Sequence, residues 1–337
     1  MIEDASRQVA TWVQADFGIE LTTMDEVTHG ADQHARLWRA GTADGSRYAV
    51  KVSGGGTPAG LVVAAHLAEQ KVPGIPAPLR THDGRLCGDR EGRRLSVVPW
   101  VSHRRALDGP MTGAHWRAYG ELLAAVHAVP VTDELARRLP AGGATYPTIV
   151  AATRAMAERL RDPDPADPAG PLLTELAAVW AAAAQRVSTL VEGVERRSGA
   201  RPGPVVVCHG DPHLGNLLLG PGGQVWLIDW DDAVLAPPEC DLMFVIGGVL
   251  AFAPITAEQQ AAALAGYGRA DVDRARLAWF LAVRALDDLT DWTRQALDTE
   301  ASAADRIRAA EIVRGLVSPV GLVTLADAAL RGLDPRG

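Results

Sequence analysis

The chain has one asparagine, Asn216, and two lysines, Lys51 and Lys71, in 337 residues. Arginine carries the rest of the positive charge. A lysine or asparagine kept against that background is a candidate for chemistry that a substitute would not perform. Cysteine is scarce too: Cys87, Cys208 and Cys240 are odd in number and widely spaced. That excludes a disulfide framework and points to a reducing, cytoplasmic setting. There is no basic excess. A formal net charge of -8 argues against a nucleic-acid partner and is compatible with a cationic small molecule. No apolar run reaches the ~20 residues that span a bilayer. Met1-Ile2-Glu3-Asp4 is acidic with no signal core behind it, so neither a membrane anchor nor secretion is expected.

What is present is concentrated in two short stretches. Val205-Val206-Val207-Cys208-His209-Gly210-Asp211 runs from an apolar strand to a carboxylate, and Val225-Trp226-Leu227-Ile228-Asp229 does the same. Asp211 and Asn216 lie five residues apart across a loop containing Pro212 and Gly215, so both side chains can fold back toward one point. A hairpin through Gly220-Pro221-Gly222-Gly223 is expected to return the chain beside the first strand and bring Asp229 to the same place. Two carboxylates and one amide oxygen form a sparse, hard donor set, which suits magnesium held against a polyphosphate better than a closed cage. Asp211 would then take the proton of an attacking hydroxyl, with Asn216 and Asp229 on the metal.

Other readings of the same residues stay open. His209-Gly210-Asp211-Pro212 is also the composition of an ordinary strand-to-loop turn capped by Asp211. His209, Asp211 and His213 alternate like the ligands of a zinc or di-metal hydrolase, although no second His or Cys cluster accompanies them. Cys208 is either a thiol nucleophile or a small buried hydrophobe, and its apolar neighbours favour the second.

Ahead of this stretch the pattern is strand-rich. A helix over 4–16 carries Val9, Trp12 and Val13 on one side, and Gly30-Ala31-Asp32 falls at a hairpin tip that could approach phosphates. Lys51 lies in the strand Arg47–Val52, on the face opposite Val50 and Val52. It is either exposed and inert or a point charge for nucleotide phosphates. A helix over 58–71 follows, and its one acid, Glu69, comes late in it. Strands at Arg85–Cys87 and Arg94–Val101 flank a turn at 89–92. Past Pro99-Trp100-Val101 helical spacing takes over, which places a lobe boundary at residues 99–103 and offers the linker backbone to an adenine ring. Later, Trp116, Tyr119, Leu122, Leu123, Val126 and His127 make a core stripe. A helix spans 172–197, and another carries Arg284, Asp287, Asp288 and Asp291, with Trp279 and Trp292 nearby. That last group is either a solvated face with an Arg284–Asp288 pair or an acidic, aromatic wall for a cationic ligand.

Together, Ala49-Val50-Lys51, His209-Gly210-Asp211 through Asn216, and Ile228-Asp229-Trp230-Asp231 resemble the aminoglycoside phosphotransferases, relatives of the protein kinases. Gly30-Ala31-Asp32, Asp83-Gly84-Arg85-Leu86 and Asp241-Leu242-Met243-Phe244-Val245 look most like the spectinomycin phosphotransferase branch. The resemblance implies an α+β, bilobal, protein-kinase-like fold. Residues 1–101 would be a small antiparallel-sheet nucleotide lobe and 102–337 a larger, mostly helical catalytic and substrate lobe. Carried over by position, Asp211 is the catalytic base, and Asn216 and Asp229 bind Mg2+. Lys51, Gly30, Ala31, Asp32, Pro99, Trp100 and Val101 belong to the ATP (or GTP) site. Asp231, Asp287, Asp288 and Trp292 are candidates for a hydroxylated, cationic acceptor. One departure stands out: near Gly60, where the family keeps a helix glutamate for the lysine, this chain has no acid. The expectation is a cytoplasmic small-molecule O-phosphotransferase, monomeric or weakly dimeric, acting on an aminocyclitol-type antibiotic. A kinase of a sugar or amino alcohol and a silent nucleotide-binding protein are the alternatives.

Overall fold

The computed structural model describes residues 4–27, 35–54, 57–163, 167–197, 203–246, 249–250, 253–268 and 271–333. The backbone forms two compact units. One comprises Met1–Leu139, His209–Val234 and Ala262–Gly268; the other comprises Pro140–Cys208, Leu235–Ala261 and Arg269–Gly337. Lys51, Asp211, Asn216, Asp229 and Asp231 all belong to the first.

The first unit opens with helix α1 (Asp4–Phe17), strands β1 (Thr23–Glu26), β2 (Ala35–Gly41) and β3 (Arg47–Ser53), and helix α2 (Ala59–Glu69). Strands β4 (Gly88–Arg90) and β5 (Arg93–Pro99) and helices α3 (Gly113–His127) and α4 (Asp133–Arg138) follow. The sheet runs β1-β2-β3-β5-β4 with every neighbouring pair antiparallel. Period-two alternation sends Val50 and Val52 of β3 and Leu95 and Val97 of β5 into one core with Val9 and Val13 of α1. Lys51, between the two valines and opposite Leu37 and Ser96, therefore points from the other face.

The β4–β5 connection differs from the sequence expectation. Glu91 and Gly92 both have positive φ, 58° and 72°, the backbone of a two-residue hairpin turn whose twist matches that of the strands it joins. So tight a turn starts the pairing at Arg90–Arg93. The earlier strand is Gly88–Arg90, and Arg85–Cys87 is irregular.

Beyond α4 the chain enters the second unit with α5 (Tyr146–Arg161), α6 (Pro171–Arg197) and β6 (Val206–Cys208). At His209 it returns to the first unit for β7 (Leu217–Leu219) and β8 (Val225–Leu227), and β9 (Val234–Ala236) leads out again. The β7–β8 pairing also differs from the sequence expectation. The glycine-rich hairpin joins β8 to β7, with Leu217 opposite Leu227, and β6 pairs with β9 instead. Three leucines directly after Asn216 supply the extra strand, with Leu217 and Leu219 buried on one face.

The remaining helices are α7 (Glu239–Ile246), α8 (Ala257–Tyr267), α9 (Arg274–Ala296), α10 (Ala303–Val317) and α11 (Leu322–Arg331). Leu173, Leu176, Trp180, Val187, Leu190 and Val194 form the buried stripe of α6. Trp180 donates its indole N–H to Thr293 of α9 at 3.0 Å. The apolar stretch 303–331 is split at Ser318, the C-cap of α10, and neither half has the ~20 residues that cross a bilayer.

Candidate active site

The loop after β6 is built around His209, which is fully buried. Its Nδ1 accepts the Asp211 backbone N–H at 3.2 Å, so the ring proton sits on Nε2, which donates to the Ile228 carbonyl at 2.9 Å. One imidazole thus ties the Asp211 turn to the strand end that presents Asp229. With both nitrogens used by backbone, His209 has no lone pair for zinc, and the hydrolase alternative loses its first ligand. Gly210 makes the turn possible: its φ is 84°, and a Cβ there would lie 2.1 Å from the Asp232 carbonyl oxygen. From α3, the buried Tyr119 hydroxyl donates to the Pro212 carbonyl at 2.6 Å. His213 accepts the Gly215 N–H on Nδ1 at 2.9 Å and directs Nε2 toward Asp211 Oδ2 at 3.4 Å.

Asn216 joins the two stretches. Its side-chain Nδ2 donates to the Asp211 carbonyl at 2.9 Å, and its own carbonyl accepts the Ile228 N–H at 3.0 Å. Because the amide nitrogen is committed to the protein, the side-chain oxygen is what Asn216 has to offer a cation. Asp229, next in the chain after Ile228, is left-handed at φ 64°, ψ 67°. That conformation costs a non-glycine residue of order 1–3 kcal/mol and is characteristic of functional turns. It re-aims the carboxylate as the chain enters the turn Trp230–Asp232.

Lys51 meets this turn. Its ammonium lies 3.2 Å from Asp229 Oδ1 and 2.7 Å from Asp231 Oδ2, with the lysine side chain 26% exposed and the two carboxylates about half exposed. Burial alone would lower the Lys51 pKa, but the fields of Asp229 and Asp231 outweigh it and the net shift is upward. The ammonium is therefore a fixed positive charge at any physiological pH, and it is neither fully exposed nor unpartnered. Cys208, by contrast, is a buried hydrophobe: desolvation, then the neighbouring Cys240 and Asp241, push its thiol well above the ordinary range. No thiolate nucleophile is available there.

Pro99 ends β5 opposite Tyr48, Trp100 donates its N–H to the Arg47 carbonyl at 2.9 Å, and Pro99, Trp100 and Val101 are all half-buried. Ser102 Oγ then donates to the Leu219 carbonyl at 2.7 Å, fastening this connector to β7. Gly30, Ala31 and Asp32 lie outside the described residues. Asp231, expected on the acceptor, is found on Lys51. Asp287, Asp288 and Trp292 sit on α9 in the second unit, where Asp288 takes Arg284 at 2.7 Å, Asp287 is exposed and Trp292 half-buried. Glu69 pairs with Arg80 at 2.9 Å, so the late helix acid does not serve Lys51. Sequence reasoning missed Tyr119 as a prop for the loop and His209 as its strut. Tyr119 carried only a core-stripe signal, whereas the His-Gly-Asp spacing could have suggested a ring folding back on its own loop.

Residues 26–280 match the profile of the family described as "Phosphotransferase enzyme family". Among solved structures, spectinomycin phosphotransferase APH(9)-Ia in complex with ADP and spectinomycin is similar at 23% identity, with 96% of this chain and 98% of that one covered and a TM-score of 0.84. Amicoumacin kinase hAmiN, in complex with AMP-PNP, Ca2+ and Ami, is similar at 16% identity, 94% of each chain and a TM-score of 0.64. A choline/ethanolamine kinase family protein from Mesorhizobium loti is similar at 17% identity, 98% of this chain, 100% of that one and a TM-score of 0.60. These likenesses establish the kinase-like α+β fold that the sequence led us to expect.

Proposed function

We propose, for a chain that belongs to the phosphotransferase enzyme family, that it moves the γ-phosphoryl group of ATP to a hydroxyl of an amine-bearing polar small molecule. An aminocyclitol of the spectinomycin type is the leading acceptor. One observation carries the reading most: Asn216 bonds the Asp211 carbonyl with its side chain and the Ile228 N–H with its backbone. Asp211 and Asp229 are thereby held at one amide, beside an ammonium fixed by Asp229 and Asp231. The similarity to APH(9)-Ia over nearly the whole of both chains supports the acceptor class.

In this mechanism Lys51 neutralises the nucleotide phosphates, and the nucleotide base lies along the Pro99-Trp100-Val101 connector. Asp211 accepts the proton of the acceptor hydroxyl as its oxygen bonds to the γ-phosphorus and the bond to the β,γ-bridging oxygen breaks, releasing ADP. His209 and Tyr119 hold the loop so that the carboxylate needs little reorganisation, and positioning accounts for much of the rate. The Asn216 oxygen and the Asp229 carboxylate fit Mg2+, being hard donors, one of which already faces a cation in Lys51. Held there, such an ion would supply charge neutralisation for the nucleotide phosphates. The missing acid near Gly60 does not argue for a silent binding protein, because the lysine has two carboxylates from elsewhere.

The experiment is phosphate transfer from labelled ATP, with GTP in parallel, to a panel of aminocyclitols, aminoglycosides, sugars and amino alcohols. Transfer to an aminocyclitol that disappears on magnesium chelation is expected. Transfer confined to choline-like amino alcohols would replace the antibiotic acceptor with a metabolite. Tight nucleotide binding with no transfer to any acceptor would contradict the proposal.

A further inference from the structure

We propose that Asp231 is a positioning residue: its carboxylate, on a turn packed directly against α2, holds the Lys51 ammonium where the nucleotide phosphates arrive. This rests on the role of Lys51 proposed above. Of the two carboxylates at Lys51, Asp231 is the nearer, at 2.7 Å against 3.2 Å for Asp229. Asp229 is also the one proposed to share a divalent ion with Asn216. A carboxylate on a metal is a weak partner for an ammonium, which leaves Asp231 as the anchor during turnover.

Helix α2 supplies no carboxylate of its own. Its first turn has no acid, and Glu69 at its end is paired with Arg80. It supplies contact instead. A Cβ on Gly60 would fall 2.5 Å from the Trp230 carbonyl oxygen and 2.9 Å from the Asp231 nitrogen, so only a bare backbone lets helix and turn meet. The turn is otherwise rigid. Trp230 is 5% exposed, donates its indole N–H to the Leu227 carbonyl at 3.2 Å, and packs its ring 4.5 Å from that of His209. Helix α2 thus serves as the wall against which the turn carrying Asp231 is braced.

The test is a double-mutant cycle of Asp231→Asn and Lys51→Met, read as ADP affinity in magnesium, with no acceptor present. Asp231→Asn should weaken ADP about 10-fold when Lys51 is present and by less than about 2-fold in the Lys51→Met background. Asp231→Glu, which keeps a carboxylate, should recover most of the loss. Equal losses in both backgrounds would overturn the proposal, as would a loss that tracks Mn2+ affinity, since Asp231 would then belong to the metal. A second readout needs neither activity nor nucleotide. Lys51 and Lys71 are the only lysines, so acylation of Lys51 relative to Lys71 is measurable by mass spectrometry. It should rise several-fold in Asp231→Asn, and an unchanged ratio would overturn the contact itself. If wild type binds no ADP, the phosphotransferase role falls, while the acylation ratio still decides whether Asp231 holds the lysine.

Discussion

Asp211→Asn is expected to lower turnover by about 10²- to 10⁴-fold, the range lost when a general base is removed, while ADP affinity changes little. The substitution is close to isosteric. The backbone groups of Asp211 remain bonded to His209 Nδ1 and to Asn216 Nδ2, so the loop keeps its shape and the loss reports the carboxylate alone. Steady-state kinetics with a responsive acceptor would separate the outcomes. A fall in kcat with a steady KM for ATP fits a group needed in the transition state. A rise in KM with kcat preserved would move Asp211 from proton transfer to substrate binding.

His209→Ala is expected to be the most damaging substitution that touches neither substrate nor metal. It leaves the Asp211 N–H and the Ile228 carbonyl without their buried partner and opens a cavity beside Trp230. Two orphaned groups at about 1–3 kcal/mol each, plus lost packing, predict destabilisation of roughly 3–5 kcal/mol. For a domain of marginal stability this is close to unfolding. Chemical denaturation measures it directly. If the variant folds, its metal dependence should weaken as well, because the imidazole keeps the Asp211 turn beside the Asp229 strand end. Wild-type stability would mean that the bridge is incidental.

Local spacing made part of the candidate site's geometry legible in the sequence. Asp211 and Asn216 are five residues apart across Pro212 and Gly215, a spacing and composition that let a loop fold back on itself. Lys51 between Val50 and Val52 had to leave the core face of its strand once those valines were buried. The change from strand to helical spacing after Val101 likewise follows from hydrophobic period. Contacts between distant segments were not legible. Lys51 and Asp231 are 180 positions apart, and nothing in either neighbourhood encodes the other. Gly60 reads as the absence of a glutamate, and only the packed turn shows it to be a point of close approach. Short strands failed for a different reason: three leucines after Asn216 and the residues ahead of Glu91-Gly92 are too brief to show a period, so turn geometry decided where pairing began.

The most direct test is a crystal structure grown with Mn2+ and a non-hydrolysable ATP analogue, reading manganese by its anomalous signal. A manganese peak at roughly 2 Å from the Asn216 side-chain oxygen and an Asp229 carboxylate oxygen, with Lys51 on the phosphates and the Asp211 carboxylate facing the γ-phosphorus, is the expected result. Manganese bound away from Asn216 and Asp229, or a triphosphate that does not reach Lys51, would contradict the account.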